Sequence, residues 1–271
     1  MPTIVVTSDE AGAGKTGIAT VLARHFAYAG LPTRLVRAAG DERAALDAAW
    51  FGSLDFVPGS ASAPSEAVAA PSGECVVIET SAGATPNIEG ATTVSVSRSE
   101  MGVAVTVDGG DDIRIPIDRT LAGFDMEDIQ RILAAEVLVE GEAPPDTTCD
   151  HLVIAPIGSD AGEPYFRRFS TFACIVRFDR TDMHLAAIKG GASFLVLTGG
   201  RRPMDYLFDV ANAQGVPVLL SMNDTENTVI ALEGVFDQTR FHGLRKTDRM
   251  VELATTAGLF KAIDSATAVS A

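Results

Sequence analysis

Val5-Val6-Thr7-Ser8-Asp9-Glu10-Ala11-Gly12-Ala13-Gly14-Lys15-Thr16 is the stretch that decides the fold of this chain. Its first residues complete a short β-branched run, Thr3–Thr7, of the kind that forms a central parallel strand. A glycine-containing loop follows, then a helical pattern. Gly17 to Ala29 places Ile18, Val21, Leu22 and Phe26 on one face, and Gly30 ends it. Strand, glycine loop and helix in this order aim several backbone N–H groups at one point, where the helix dipole adds positive potential. The pattern predicts a phosphate site. Lys15 is expected to reach the β- and γ-phosphates of a nucleotide and the Thr16 hydroxyl to ligate Mg²⁺. Gly12 and Gly14 allow close backbone approach, while Asp9 stands where the G-x-x-x-x-G-K-[ST] pattern has its first glycine.

Outward from this stretch, Thr33–Val36 is a second strand and completes a βαβ beginning. Arg43–Leu54 has a helical pattern, apolar on one side. Val57 to Gly73, rich in Pro, Ser, Gly and Ala, is expected to be a loop or a mobile linker. Cys75–Glu79 is a buried strand ending in a carboxylate. Glu79 either orients Mg²⁺ or an attacking group through water, or faces solvent as a strand-end carboxylate. Thr92–Ser97 alternates, and Val103–Val107 and Ile113–Ile117 flank Asp108-Gly109-Gly110-Asp111-Asp112, which signals a hairpin at an edge of the first sheet.

Glu127–Leu138 is expected to be a helix with Ile129, Ile132, Leu133 and Val137 inward, and Glu140–Thr148, with Pro144-Pro145, a domain boundary. Strands and helices then alternate. The strands are His151–Ala155, Ala173–Val176, Phe194–Leu197 and Val218–Ser221; the helices are Glu163–Phe169, Met183–Gly190, Met204–Gln214 and Thr225–Val235. This predicts a small α/β domain with a largely parallel sheet. Asp179-Arg180, Thr198-Gly199-Gly200 and Asp224-Thr225 each follow a strand, so parallel pairing puts all three on the carboxyl edge, where open α/β sheets bind ligands. There Arg180 could clamp an anion bidentately, Thr198 could donate its hydroxyl, and the glycines would admit a ligand to the backbone. An interface, or a structural role in turns and caps, are the other readings of these residues.

Apolar residues make up 46% and charged residues 21% of the chain, close to the globular average, so wholesale disorder is not expected. A net charge of −15 argues against nucleic acid or an anionic membrane as the main partner, but a local nest of N–H groups can still bind a small anion. Neither a signal peptide nor an apolar run of bilayer length is visible, and a cytoplasmic location is expected. Cys75, Cys149 and Cys174 are widely spaced and are expected to be buried free thiols in a reducing compartment. His25, His151, His184 and His242 are scattered and give no metal-binding pattern.

Val6-Thr7-Ser8 through Gly14-Lys15-Thr16, with Val77-Ile78-Glu79, resembles the dethiobiotin synthetase-like ATPases as far as about Gly90. Arg37-Ala38 stands where that family has a Lys-Pro pair after its second strand, and the family's substrate-binding segments have no counterpart. Farther on, Asp179-Arg180-x-Asp182, Ala186-Ala187, Leu195-Val196-Leu197-Thr198-Gly199-Gly200, Gly215-Val216-Pro217-Val218 and Asp224-Thr225 resemble the DRTGG domain. This second resemblance runs from about Ile129 to Leu259 and includes Thr239-Arg240 and Lys246. Such domains follow a dethiobiotin synthetase-like ATPase domain in proteins similar to the N-terminal part of some phosphotransacetylases. They also accompany nucleotide-sensing CBS domains, so the resemblance implies a regulatory role. The acyltransferase domain of phosphotransacetylase is missing, and acetyl transfer is not expected.

Together these readings predict an α/β chain: a shortened P-loop NTPase-like parallel sheet in residues 1–125, then a smaller α/β DRTGG domain in 126–265. ATP or ADP with Mg²⁺ is expected at Gly12, Gly14, Lys15, Thr16 and Glu79. A nucleotide or small anionic metabolite is expected at Asp179, Arg180, Thr198, Gly199, Gly200, Asp224 and Thr225. The leading expectation is a nucleotide-binding regulator that forms a homo-oligomer. An ATP-dependent ligase that activates a carboxylate is one alternative, and a scaffold with a vestigial phosphate loop is another. No catalytic residue is assigned.

Overall fold

The β-branched run after Pro2 becomes β1 (Thr3–Thr7), an inner strand whose last four residues are buried. The computed structural model describes residues 1–66, 73–84, 86, 88–142, 147–156, 158 and 162–267. Its chain divides into two units, Met1–Ile117 with Lys246–Ala271, and Asp118–Arg245.

In the first unit, β1 leads through a loop into α1 (Lys15–Tyr28), followed by β2 (Thr33–Arg37), α2 (Ala44–Phe51) and β3 (Cys75–Glu79). The remaining strands are β4 (Thr92–Ser99), β5 (Gly102–Val107) and β6 (Ile113–Pro116). The sheet order is β2-β3-β1-β4-β5-β6. β2, β3, β1 and β4 are parallel, and β5 and β6 continue antiparallel as the edge hairpin. The contrast follows from composition. Cys75–Glu79 is apolar almost throughout and buried at every position, whereas β4 alternates buried and exposed residues.

The Pro/Ser/Ala segment is not free of the core where it is described. Ser60 Oγ accepts from Leu35 N at 2.9 Å, and Ser65 bridges Ala38 in parallel register. Residues 67–72 of that segment lie outside the described residues, as do 143–146 of the expected Pro-Pro boundary.

The second unit holds α3 (Met126–Leu133), β7 (Glu136–Val139), β8 (His151–Ile154), α4 (Gly162–Phe166) and β9 (Phe172–Arg177). It continues through α5 (Thr181–Lys189), β10 (Phe194–Thr198), α6 (Asp205–Ala213), β11 (Val218–Leu220) and α7 (Thr225–Ala231). The sheet order is β7-β11-β10-β9-β8, parallel except for β7. Phe166, Met183, Ala187, Leu207 and Ala211 pack on one face, and Ile129, Leu133, Leu232 and Val235 on the other. A three-layer α/β/α arrangement results.

Two expectations change. The helix expected over Glu127–Leu138 stops at Leu133, because Ala134 turns left-handed (φ 47°) and the chain re-emerges as the antiparallel strand β7. Val137, assigned to that helix's apolar face, is therefore a strand residue. The first unit also takes residues from the far end of the chain, α8 (Leu244–Ala257) from Lys246 onward and α9 (Leu259–Thr267), where the sequence reading ran the second domain to 265. Packing accounts for this placement. Asp248 pairs with Arg24 of α1, Asp264 lies 2.7 Å from His25 Nε2, and Phe260 stacks on the His25 ring. Residues 118–125 join the second unit, tied there by the Phe124–Cys149 bridge. The three cysteines are buried thiols, and burial pushes Cys75 and Cys149 up to about 12.

Candidate functional site

At the carboxyl end of β1 the chain needs two left-handed glycines, Gly12 (φ 74°) and Gly14 (φ 102°), to turn into α1. Gly14 is the N-cap, and no side chain caps the helix start or places an acid in its first turn. The first N–H groups of α1 are therefore left without a side-chain acceptor, an arrangement that suits an anion. A Cβ at Gly14 would also meet Val103 Cγ2 at 3.3 Å. The Lys15 side chain folds back over the loop, with Nζ 2.8 Å from Ser8 Oγ and 3.3 Å from the Glu10 carbonyl. Lys15 is only 6% exposed, and burial lowers its pKa against the opposing pull of Glu79.

Parallel register sets Glu79, the last residue of β3, beside Val6 of β1 on one side and Arg37 of β2 on the other. Thr16 Oγ1 donates to Glu79 Oε1 at 2.9 Å. Glu79 is 2% exposed, and burial pushes its carboxyl up to about 7 although Arg37 opposes the shift. Its second oxygen, Oε2, is buried without a hydrogen bond, with Arg37 Nε 3.7 Å away. Arg37 is 3% exposed; its NH2 group pairs with Asp41 at 2.6 Å, NH1 donates to the Ala38 carbonyl at 2.7 Å, and Nε lies 3.4 Å from Asp47. Burial works against the Arg37 charge, but Glu79, Asp41 and Asp47 outweigh it and raise its pKa.

Lys15 and Thr16 thus meet Glu79, far away in sequence, at one edge with Gly12 and Gly14. Glu79 faces Thr16, not solvent. Ser8, Arg37, Asp41 and Asp47 also belong to this cluster, although the sequence assigns none of them to the site and marks Arg37 only as standing where the resembled ATPases have a Lys. The alternation of β2 was the available signal, since Leu35 and Arg37 share a buried face.

In the second unit, Asp179-Arg180, Thr198-Gly199-Gly200 and Asp224-Thr225 follow β9, β10 and β11 on the carboxyl edge. Some of them meet. Thr198 Oγ1 and Thr225 Oγ1 are 2.7 Å apart, and Gly199 N donates to the Asn223 carbonyl at 2.7 Å. Gly199 and Gly200 are both left-handed, and a Cβ on Gly199 would lie 2.9 Å from the Phe178 ring. Asp224 caps α7, accepting from Asn227 N at 2.8 Å. Asp179 and Arg180 pair with residues close to them in sequence. Asp179 takes a bidentate contact from Arg177, and Arg180 contacts Asp182 in the same way.

Residues 128–235 form a DRTGG domain, matching the model of that domain over this span. Among solved structures, the chain is similar to the CBS and DRTGG domains of the regulatory region of Clostridium perfringens pyrophosphatase, a structure described as complexed with the activator diadenosine tetraphosphate. Identity is 15% and the TM-score 0.36, over 52% of this chain and 63% of that one. The match thus spans less than two thirds of that chain. Among the described residues, no helix is long and apolar enough to cross a membrane.

Proposed function

We propose that the chain is a nucleotide-binding regulator, taking ATP or ADP with Mg²⁺ at the β1–α1 loop and using its DRTGG unit for sensing or self-association. The observation that supports this reading best is Glu79. A carboxylate buried to 2% exposure, with one oxygen on the Thr16 hydroxyl and the other 3.7 Å from Arg37 Nε without a hydrogen bond, is incompletely satisfied, and a cation bound beside Thr16 would complete it. Thr16 and Glu79 would hold Mg²⁺, which supplies charge neutralisation of bound phosphates. The uncapped start of α1 with Gly12 and Gly14 would receive the phosphates, and Lys15 would leave Ser8 and Glu10 for them. At the second edge, Thr198, Gly199, Gly200, Asp224 and Thr225 would form a ligand or subunit contact. Asp179 and Arg180 would take part by exchanging their present partners.

Calorimetric titration of the full chain with ATP and ADP in the presence of Mg²⁺ tests this. Micromolar binding, on the order of 8 kcal/mol, is expected, and Lys15→Ala abolishes it. Absence of heat and of thermal stabilisation in the wild-type protein removes the reading. Arg180→Ala, measured in parallel, separates a ligand of the second edge from one of the first.

A further inference from the structure

The proposed Mg²⁺ carboxylate does not stand alone at its strand end. Arg37 and Glu79 are register partners at the ends of adjacent parallel strands, so their side chains leave the same face of the sheet side by side. The guanidinium is not available to a ligand. Asp41 and the Ala38 carbonyl fix its outer nitrogens at 2.6 and 2.7 Å, and Nε donates to Asp47 Oδ2 at 3.4 Å with Glu79 Oε2 3.7 Å away. Glu79 then meets a fixed cation on its Oε2 side and the Thr16 hydroxyl on its Oε1 side. Removing Arg37 would leave Asp47 and Glu79 as neighbouring buried carboxylates without the guanidinium that now lies within 4 Å of both.

We propose that Arg37 is a positioning residue: held by Asp41 and Ala38, it orients Glu79 toward Thr16 and so makes nucleotide binding depend on Mg²⁺. This rests on the nucleotide reading above. Arg37 touches neither phosphate nor metal and acts only through Glu79, as outer ligand partners do in metal sites generally. The structure therefore separates two quantities that a phosphate-binding arginine would change together, affinity for the bare nucleotide and the gain that Mg²⁺ adds.

The test is ATP binding by the full chain with Mg²⁺ and with EDTA, for wild type, Arg37→Met, Arg37→Lys and Asp41→Asn. Wild type is expected to gain about tenfold or more from Mg²⁺. Arg37→Met is expected to keep its metal-free affinity within about twofold and lose most of that gain, the size of loss typical for an outer-shell partner. Arg37→Lys, which keeps the charge, recovers part of it, and Asp41→Asn loses part of it. A wild-type chain that binds no nucleotide overturns the nucleotide reading and this proposal with it. Nucleotide binding without an Mg²⁺ gain in wild type, or an intact gain in Arg37→Met, overturns the role of Arg37 alone. Equal losses with and without Mg²⁺ do the same, by making Arg37 a phosphate contact or a purely structural residue. Should Arg37→Met fail to fold by circular dichroism, Arg37→Lys and Asp41→Asn decide the matter by the same ratio.

Discussion

Replacing Glu79 by Gln should stabilise the free protein, and by more as the pH rises. In the folded chain the Glu79 carboxyl is raised to about 7 from the usual 4.5, burial being the leading cause. The sign follows from linkage. A raised folded pKa means that stability is full below 4.5 and is lost as pH rises through 7, because the unfolded chain releases the proton first. The penalty of holding the charge therefore reaches about 3 kcal/mol at pH 8.5 but only about 1 kcal/mol at pH 5.5, at about 1.4 kcal/mol per pKa unit. Glutamine has the same shape and no charge to lose. Its carbonyl can face Arg37 and its amide Thr16, while Arg37 keeps Asp41 and Asp47 as counter-ions. Trp50 is the chain's only tryptophan and sits on α2 of the first unit, so its fluorescence in a urea titration reports this unit alone. The expected gain of Glu79→Gln is about 1 kcal/mol at pH 5.5 and about 3 kcal/mol at pH 8.5. A variant no more stable than wild type at pH 8.5, or a gain that does not grow with pH, refutes the reasoning.

Other substitutions probe the two units separately. Leu259→Ala, at a fully buried position of α9, should cost roughly 2–5 kcal/mol and shift the Trp50 transition; an unmoved transition would place α9 outside the first unit. Gly199→Ala forces a side chain into a left-handed position 2.9 Å from Phe178 and should destabilise the second unit by roughly 1–3 kcal/mol, read as faster amide exchange in β10 and β11. Asp125→Ala removes the capping box of α3, in which Asp125 Oδ1 accepts from Asp128 N at 2.8 Å. It should cost about 1 kcal/mol with exchange rising in α3 first, and an unchanged α3 would show that the cap contributes nothing.

The parts of the fold carried by local composition were legible in the sequence. β1 and β3 are continuous apolar runs between polar punctuation, and Asp108-Gly109-Gly110 announces the edge hairpin. Where tertiary structure overrides local pattern, legibility fails. Ile129, Ile132, Leu133 and Val137 fit one helical face, yet a single left-handed residue, Ala134, sends Val137 into a sheet edge. Nothing local to Leu259 or Ile263 says that their apolar face belongs to a unit begun more than two hundred residues earlier. The site divides in the same way. Lys15 and Thr16 declare themselves by spacing, and Glu79 by its place at a strand end. Arg37 does not, because its meaning depends on which strand lies beside β3, a fact of register that no window of residues contains. Asp179 and Arg180 show the converse: conspicuous in sequence, they pair with charged residues two positions away, Arg177 and Asp182.

The split path of the first unit has a consequence for how the molecule is made. The β1–α1 loop leaves the ribosome well before α9, which pairs with α1 through His25 and Asp264. The whole of Asp118–Arg245 must be synthesised between them, a delay on the order of ten seconds at ordinary elongation rates. During that interval the second unit is continuous in the chain and can complete its sheet. The first waits with the outer side of α1 uncovered. Assembly order is thereby inverted with respect to chain order, and a nascent chain arrested before α9 emerges would carry every residue of the loop without the helix that backs it.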